Sequence, residues 1–340
     1  MKTDLKDLTM KELENYLERL GEKKFRAKQI FSWIYKGAGS FGEMTDLSLE
    51  LRQKLEENAE IKRLRILKVQ HSEKDGTRKY LFGLEDGNSI ESVFMKYKFG
   101  NTVCISSQAG CRMGCSFCAS AINGLQRNLT AGEMADQILS IEKDTGEKVG
   151  NIVVMGTGEP LDNYENLSGF IGNINDKSGL NIGMRNITVS TCGLIPKMLD
   201  IAKDFPQINL AVSLHAPNDS IRNKLMPISR RYPMDEHLKA CRRHDELTGR
   251  RITFEYALVR GVNDSDRNGE ELADKLRGLN CHVNLIPLNR VAETGLYGTE
   301  RTDAERFCAL LEKRGIQVTI RRELGSDIDA ACGQLRLISD

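Results

Sequence analysis

From Thr102 to Arg321 the chain repeats one pattern, a short apolar run of strand length followed by a gap. The runs are TVCISSQ (102–108), NIVVMG (151–156), RNITVST (185–191), INLAVSL (208–214), RITFEYALV (251–259), CHVNLIPL (281–288) and IQVTIR (316–321). Each gap but one is long enough for a helix. Parallel strands need crossovers of a dozen or more residues, so this alternation predicts a parallel α/β fold. The periodicity leaves open a partial barrel, a complete barrel and a doubly wound sheet. In all of them the C-terminal strand ends share one face, where ligand sites are built. GCRMGCSFCAS follows the first run, GTGEP the second and STCG closes the third, while LHAP and LNR follow the fourth and sixth.

Upstream, residues 1–62 read as a small helical domain. Thr9 with Glu12 forms a capping box ahead of LENYLERL, and Gly21 ends that helix. KKFRAKQIFSWIYKG and LSLELRQKLEENAE supply two more helices. Over residues 63–100 the period becomes two, and RLRILKVQHS, TRKYLFGL and SIESVFMKYK are separated by Asp75-Gly76 and Asp86-Gly87. These are hairpin signals, so a β-meander linker joins the helices to a core over residues 101–340. The formal net charge is +1 in 340 residues, so nucleic-acid contact must come from local clustering. No stretch approaches the roughly 18 uninterrupted apolar residues of a membrane span, and the charged N-terminus lacks a secretory apolar region. Nine cysteines, an odd number unevenly spread, suit metal or redox use in a reducing compartment. A cytoplasmic protein without a membrane partner is expected.

Cys111, Cys115 and Cys118 put three thiols on one loop with Gly110, Gly114 and Ser116. A C-x3-C-x2-C spacing suits an iron–sulfur cube with three protein-bound irons and one open iron. Zinc with a distant fourth ligand, Cys104 or Cys192, is the alternative. In MGTGEPLDN, Gly156 and Gly158 permit close backbone approach to a ligand and Glu159 offers a carboxylate to a cationic amine; the plain reading is a turn.

C-x3-C-x-F-C resembles the signature of the radical S-adenosyl-L-methionine (SAM) superfamily. With CISSQAGC, FCAS, GEP, VSTCG, VSLHAPND, RNKLMPI, GVND, VNLIPLN and GSDIDAACGQLR in order, the chain resembles the RlmN-type adenine-C2 methyltransferases over nearly its whole length. The resemblance implies a partial (β/α)6 TIM-like barrel and a 4Fe–4S cluster on Cys111, Cys115 and Cys118, whose open iron is chelated by SAM. It also implies SAM contacts from Gly158, Glu159, Ser190, Ser213, Leu214, His215 and Asn289. Taken alone, His215 is a satisfied polar core residue. Thr157 departs from the family pattern, where Met is expected. In the sister Cfr-type enzymes, which modify adenine C8, Gly-Glu-Ala is expected in place of Gly-Glu-Pro.

Adenine C2 is electron-poor and cannot attack the SAM methyl. The family's solution, carried over, is to methylate a cysteine thiolate, Cys332, and to join that carbon to C2 by radical addition. Cys104 matches the thiol that then resolves the adduct through a transient disulfide, and Glu91 matches the proposed proton acceptor. Which of the two takes the C2 proton stays open. By default Cys104 is core and Glu91 a solvated strand residue. Cys192, Cys241, Cys281 and Cys308 read as packing. The implied partners are 23S rRNA, tRNA and a low-potential electron donor such as flavodoxin or ferredoxin, with the enzyme a monomer. Arg230-Arg231, Arg242-Arg243, Arg250-Arg251 and GEKKFRAK are candidate phosphate contacts, the plain reading being solvated helix faces. The rival from another class is a zinc-stabilised RNA-binding module without catalysis.

Overall fold

A computed structural model describes residues 2–289, 291–322, 324–330 and 333–335. It begins with three helices, α1 (Met10–Arg19), α2 (Arg26–Tyr35) and α3 (Leu49–Asn58). The capping box forms: the Thr9 hydroxyl accepts from Glu12 N while the Glu12 carboxylate accepts from Thr9 N at 2.8 Å. Gly21, at φ +77°, carries the chain out of α1.

Ten strands then form one sheet. β1 (Arg65–His71), β2 (Arg78–Gly83) and β3 (Ser89–Tyr97) are antiparallel. Their turns close through Asp side chains, Asp75 accepting from Thr77 N and Asp86 from Asn88 N, each at 3.0 Å. β4 (Gly100–Cys104) pairs antiparallel with β3 and starts the parallel part. There follow β5 (Asn151–Val154), β6 (Ile187–Thr191), β7 (Asn209–Ser213), β8 (Ile252–Leu258), β9 (Cys281–Pro287) and β10 (Val318–Ile320). Spatial order equals chain order from β1 to β10, and the order is linear, so the sheet curls as a partial barrel without closing. The meander is thus the antiparallel flank of the same sheet.

Every parallel crossover carries a helix: α4 (Ala131–Thr145), α5 (Tyr164–Asn175), α6 (Ile195–Asp204), α7 (Asp219–Leu225) with α8 (Met234–Thr248), α9 (Asp266–Leu276) and α10 (Arg301–Lys313). The expectation of one gap too short for a helix is corrected by α6, which fits between β6 and β7. Pro196 in its first turn presets φ where no backbone donor is needed.

The helical segment shares its apolar interior with the barrel. Leu13, Phe31 and Ile34 belong to one cluster with Ile138, Phe170, Val189 and Phe254. Polar staples accompany it. Buried Lys6 pairs with Asp136 of α4, Asp7 accepts from Gly132 N, and Asn173 of α5 donates to Leu8 O. A second cluster packs Leu324, Ile328, Ala330 and Leu335 onto Val93, Met95 and Cys104. Among the described residues no helix is long and apolar enough to cross a membrane.

Candidate active site

The cysteine loop is shaped by its glycines and anchored from three directions. After β4, the pairing of Gln108–Gly110 with Leu125–Asn128 closes its base. Gly110 has φ +76°, and a Cβ there would lie 1.9 Å from Gly124 O, so no other residue fits. Ser116 N donates to Leu225 O at the end of α7 (2.9 Å), Ala119 N to Gly333 O (2.9 Å) and Ser120 Oγ to Leu335 O (2.7 Å). Arg112 clamps Asp162 with two bonds of 2.7 and 2.8 Å.

Cys111, Cys115 and Cys118 line an open cleft of about 600 Å³ together with Gly158, Glu159, Ser190, Ser213 and His215. A neighbouring lobe of similar size adds Asn289, Glu255 and Arg321. Cys104 lines a third, small cavity with Val93, Asn289, Arg321 and Ala330. Met155 lines all three and links them, a position that sequence reading passed over as the tail of a strand. The Leu214 side chain is buried in the core, and its backbone N–H donates to Glu255 O beside Ser213 and His215. Cys332 lies outside the described residues.

Among the described residues no disulfide joins Cys111, Cys115 or Cys118 to another cysteine. Burial pushes Cys111 up to about 12 and Cys115 well above its ordinary value, and mutual repulsion among the three adds to the shift. Bound iron reverses this, because the metal's charge stabilises the thiolate. Among the described residues no three His, Cys, Asp or Glu side chains surround one metal ion. A cube spreads its three cysteines over three irons, which suits sulfurs that share a cleft without sharing a centre. The donor set therefore fits a three-cysteine cluster with a ligand on the facing wall.

That wall is Glu159, only 3% exposed. Its Oε2 accepts from Cys192 N at 2.7 Å and Oε1 from Leu161 N at 3.1 Å. A carboxylate has about four acceptor sites, so capacity remains for a cation. Burial raises its pKa, since a charge is costly there without a counter-ion. The glycines beside it also answer a packing need. A Cβ on Gly156 would lie 2.7 Å from Ile105 O, and one on Gly158 2.6 Å from Gln108 Cβ, so both pack against the segment that follows β4.

His215 stands at φ +55°, where a side chain other than Gly is strained. The strain is held by bonds on both sides: Nδ1 accepts from Ala257 N, and its carbonyl accepts from Asn263 Nδ2, each at 2.8 Å. Burial drops its pKa to about 3, so the ring is neutral with its proton on Nε2. Its edge packs on Phe117 of the cysteine loop, centroids 4.8 Å apart. Cys192, read as packing, is corrected to a cleft residue whose backbone holds Glu159.

Glu91 is not solvated. It is 2% exposed and pairs at 3.2 Å with Lys79 of β2, which also donates to Asp329 O. Lys79 was not singled out from the sequence; the signal was a lysine next to the apolar run YLF (80–82) of its strand. Glu91 does not line the three cavities above. Of the arginine pairs, Arg230-Arg231 follows Pro227, which lies beside Gly114 of the cysteine loop. Arg250 instead ties Ile208 O and Asn209 at the N-terminal strand ends, opposite the site, and Arg243 is neutralised by Glu246 on α8.

Comparison with known proteins agrees with this geometry. The profile of the ribosomal RNA large subunit methyltransferase N-terminal domain matches residues 3–61, and that of the radical SAM superfamily matches residues 105–276. A probable dual-specificity RNA methyltransferase RlmN from Lachnospira eligens is 56% identical over 335 residues, covering 98% of this chain and 96% of its own. One from Desulforamulus reducens is 55% identical with the same coverage. The crystal structure of a radical SAM methyltransferase from Sphaerobacter thermophilus superposes with a TM-score of 0.93 at 47% identity, covering 98% of this chain and 99% of that one. With the cysteine loop, the facing carboxylate and the open parallel barrel in place, the chain belongs to the RlmN family of SAM-dependent RNA methyltransferases within the radical SAM superfamily.

Proposed function

We propose that this enzyme methylates C2 of an adenine in 23S rRNA and of an adenine beside the tRNA anticodon. The observation that carries the reading is one cleft in which Cys111, Cys115 and Cys118 face Glu159, Ser190, Ser213 and His215, joined through Met155 to the cavity of Cys104.

Cys111, Cys115 and Cys118 would hold a 4Fe–4S cluster. Glu159 would receive the SAM ammonium, and Ser190, Ser213, neutral His215 and Asn289 would contact the rest of the molecule. When bound, cluster and SAM supply one-electron cleavage and a 5′-deoxyadenosyl radical. The chain's own residues do the remaining work. Cys332 carries the methyl carbon as a thioether. The Cys104 thiolate attacks the Cys332 sulfur of the RNA adduct, so an S–S bond forms as the S–C bond breaks. The methylene carbon leaves with that electron pair and takes up a proton. Before that displacement Glu91 or Cys104 removes the C2 proton and the adduct radical gives up one electron, which the oxidised cluster would accept; Lys79 gives Glu91 its counter-charge. The enzyme acts as a cytoplasmic monomer, reduced by a flavodoxin or ferredoxin.

The test is anaerobic reconstitution followed by nucleoside mass spectrometry of treated rRNA and tRNA. 2-Methyladenosine is the expected product, absent with Cys118→Ala. Exclusive 8-methyladenosine, the Cfr-type outcome, overturns the choice of carbon. Cys104→Ala should accumulate an RNA–protein adduct, and its absence removes that residue's role.

A further inference from the structure

Arg222 is the largest fully buried side chain, with no exposed surface, and it points from α7 into the wall behind the cleft. Its Nη2 donates to Cys192 O (2.9 Å) and Ser213 O (3.3 Å), Nε to Leu214 O (3.3 Å) and Nη1 to Tyr232 O (3.4 Å). The first three of these carbonyls lie at the ends of β6 and β7, the strands that present Ser190 and Ser213 to the cleft, and that of Tyr232 lies just before α8. Among the described residues no carboxylate forms an ion pair with it. A buried, permanently charged guanidinium held only by neutral carbonyls is costly unless an anion stands nearby.

The surroundings identify that anion. α7 ends at Leu225, whose carbonyl accepts from Ser116 N between Cys115 and Cys118. Cys115, Phe117, Cys192, Leu225 and Met226 form one apolar cluster around this contact. Burial lowers the guanidinium's pKa, and the Cys192 and Cys115 sulfurs, the Asp219 carboxylate at the start of α7 and the Cys241 sulfur oppose the shift; of these, Cys115 belongs to the cysteine loop that α7 holds through Leu225. A cube held by three thiolates is anionic and becomes more so on reduction, so a fixed cation in a dry wall favours the reduced form.

We infer that Arg222 is a positioning residue that joins the ends of β6 and β7 and supplies the buried positive charge that raises the reduction potential of the cluster. The inference rests on the cluster assignment above. The two are separable: wild-type protein that takes up no iron defeats the assignment, whereas the variants below defeat the inference alone.

The experiment compares wild type, Arg222→Lys and Arg222→Met after anaerobic reconstitution, by iron content and by redox titration followed by electron paramagnetic resonance. Methionine removes the charge and keeps the bulk. A tenfold or larger fall in the equilibrium constant for reduction is expected, a midpoint about 59 mV more negative for one electron. Lysine should keep the wild-type midpoint. A fully loaded Arg222→Met enzyme with an unchanged midpoint overturns the inference. If Arg222→Met does not load, the lysine variant decides: loaded at the wild-type midpoint it upholds the inference, and empty or at a lower midpoint it overturns it.

Discussion

Replacing Glu159 by Gln keeps the shape of a side chain that the structure already uses twice and removes its charge. Oε2 takes the amide of Cys192 and Oε1 that of Leu161. A glutamine offers its oxygen to one of them, preferentially the shorter bond to Cys192, and turns its NH2 toward the other. One buried donor is then unpaired, costing the loop about 1–3 kcal/mol. Separately, the SAM ammonium loses a charge-assisted bond worth about 1.5–3 kcal/mol, a roughly ten- to 150-fold weaker Kd. Titration calorimetry of SAM into anaerobically reconstituted enzyme reads the second effect, and a melting curve without SAM reads the first. Both should move. If the melting temperature falls while SAM affinity stays within about twofold, a change well under 1 kcal/mol, Glu159 is only a cap for the turn after it.

Other expectations concern the fold around the site. Lys6→Met should strand the buried Asp136 carboxylate and cost about 3–5 kcal/mol in urea unfolding, whereas Lys6→Met with Asp136→Leu should recover most of that; a single-variant loss under about 1 kcal/mol is too small for a broken buried pair. The Thr157 hydroxyl is buried without a hydrogen-bond partner, so Thr157→Val should be neutral or stabilise by about 1 kcal/mol, and a clear loss would show that the hydroxyl is used. Burial depresses His215 to about 3, His244 to about 4 and His237 well below its ordinary value. The unfolded chain therefore binds more protons below pH about 6.5, so these groups stabilise the fold above that pH and the gain drains away as pH falls toward 4 and 3. Melting temperature should drop steadily between pH 7 and 5, and a flat profile contradicts the assignment.

The parallel core was legible because strand runs and helix-length gaps report topology directly, and the strand ends put Cys111, Glu159, Ser190, Ser213 and His215 on one face before any contact was known. Side-chain direction was less accessible. Glu91 looks like any polar strand residue until Lys79, two positions into the neighbouring strand, is seen turned to the same buried side. Arg222 sits in a short helix whose charges all look solvent-bound, and only the carbonyls at the ends of β6 and β7 and that of Tyr232, which the fold brings together around it, explain its inward turn. Glycine roles were half legible: the need for small residues at Gly156 and Gly158 was visible, but their partners Ile105 and Gln108 belong to the distant segment that follows β4.

The seating of Leu324, Ile328 and Ala330 on Val93, Met95 and Cys104 joins the last-made residues to some made more than two hundred positions earlier. Because strand order follows chain order, a nascent chain leaving the exit tunnel can add strands one by one to a growing edge. The face bearing Cys104 must wait until Leu324, Ile328 and Ala330 have been made. Chains cut short before Leu324 would leave that apolar face bare, a ready target for chaperones and for aggregation.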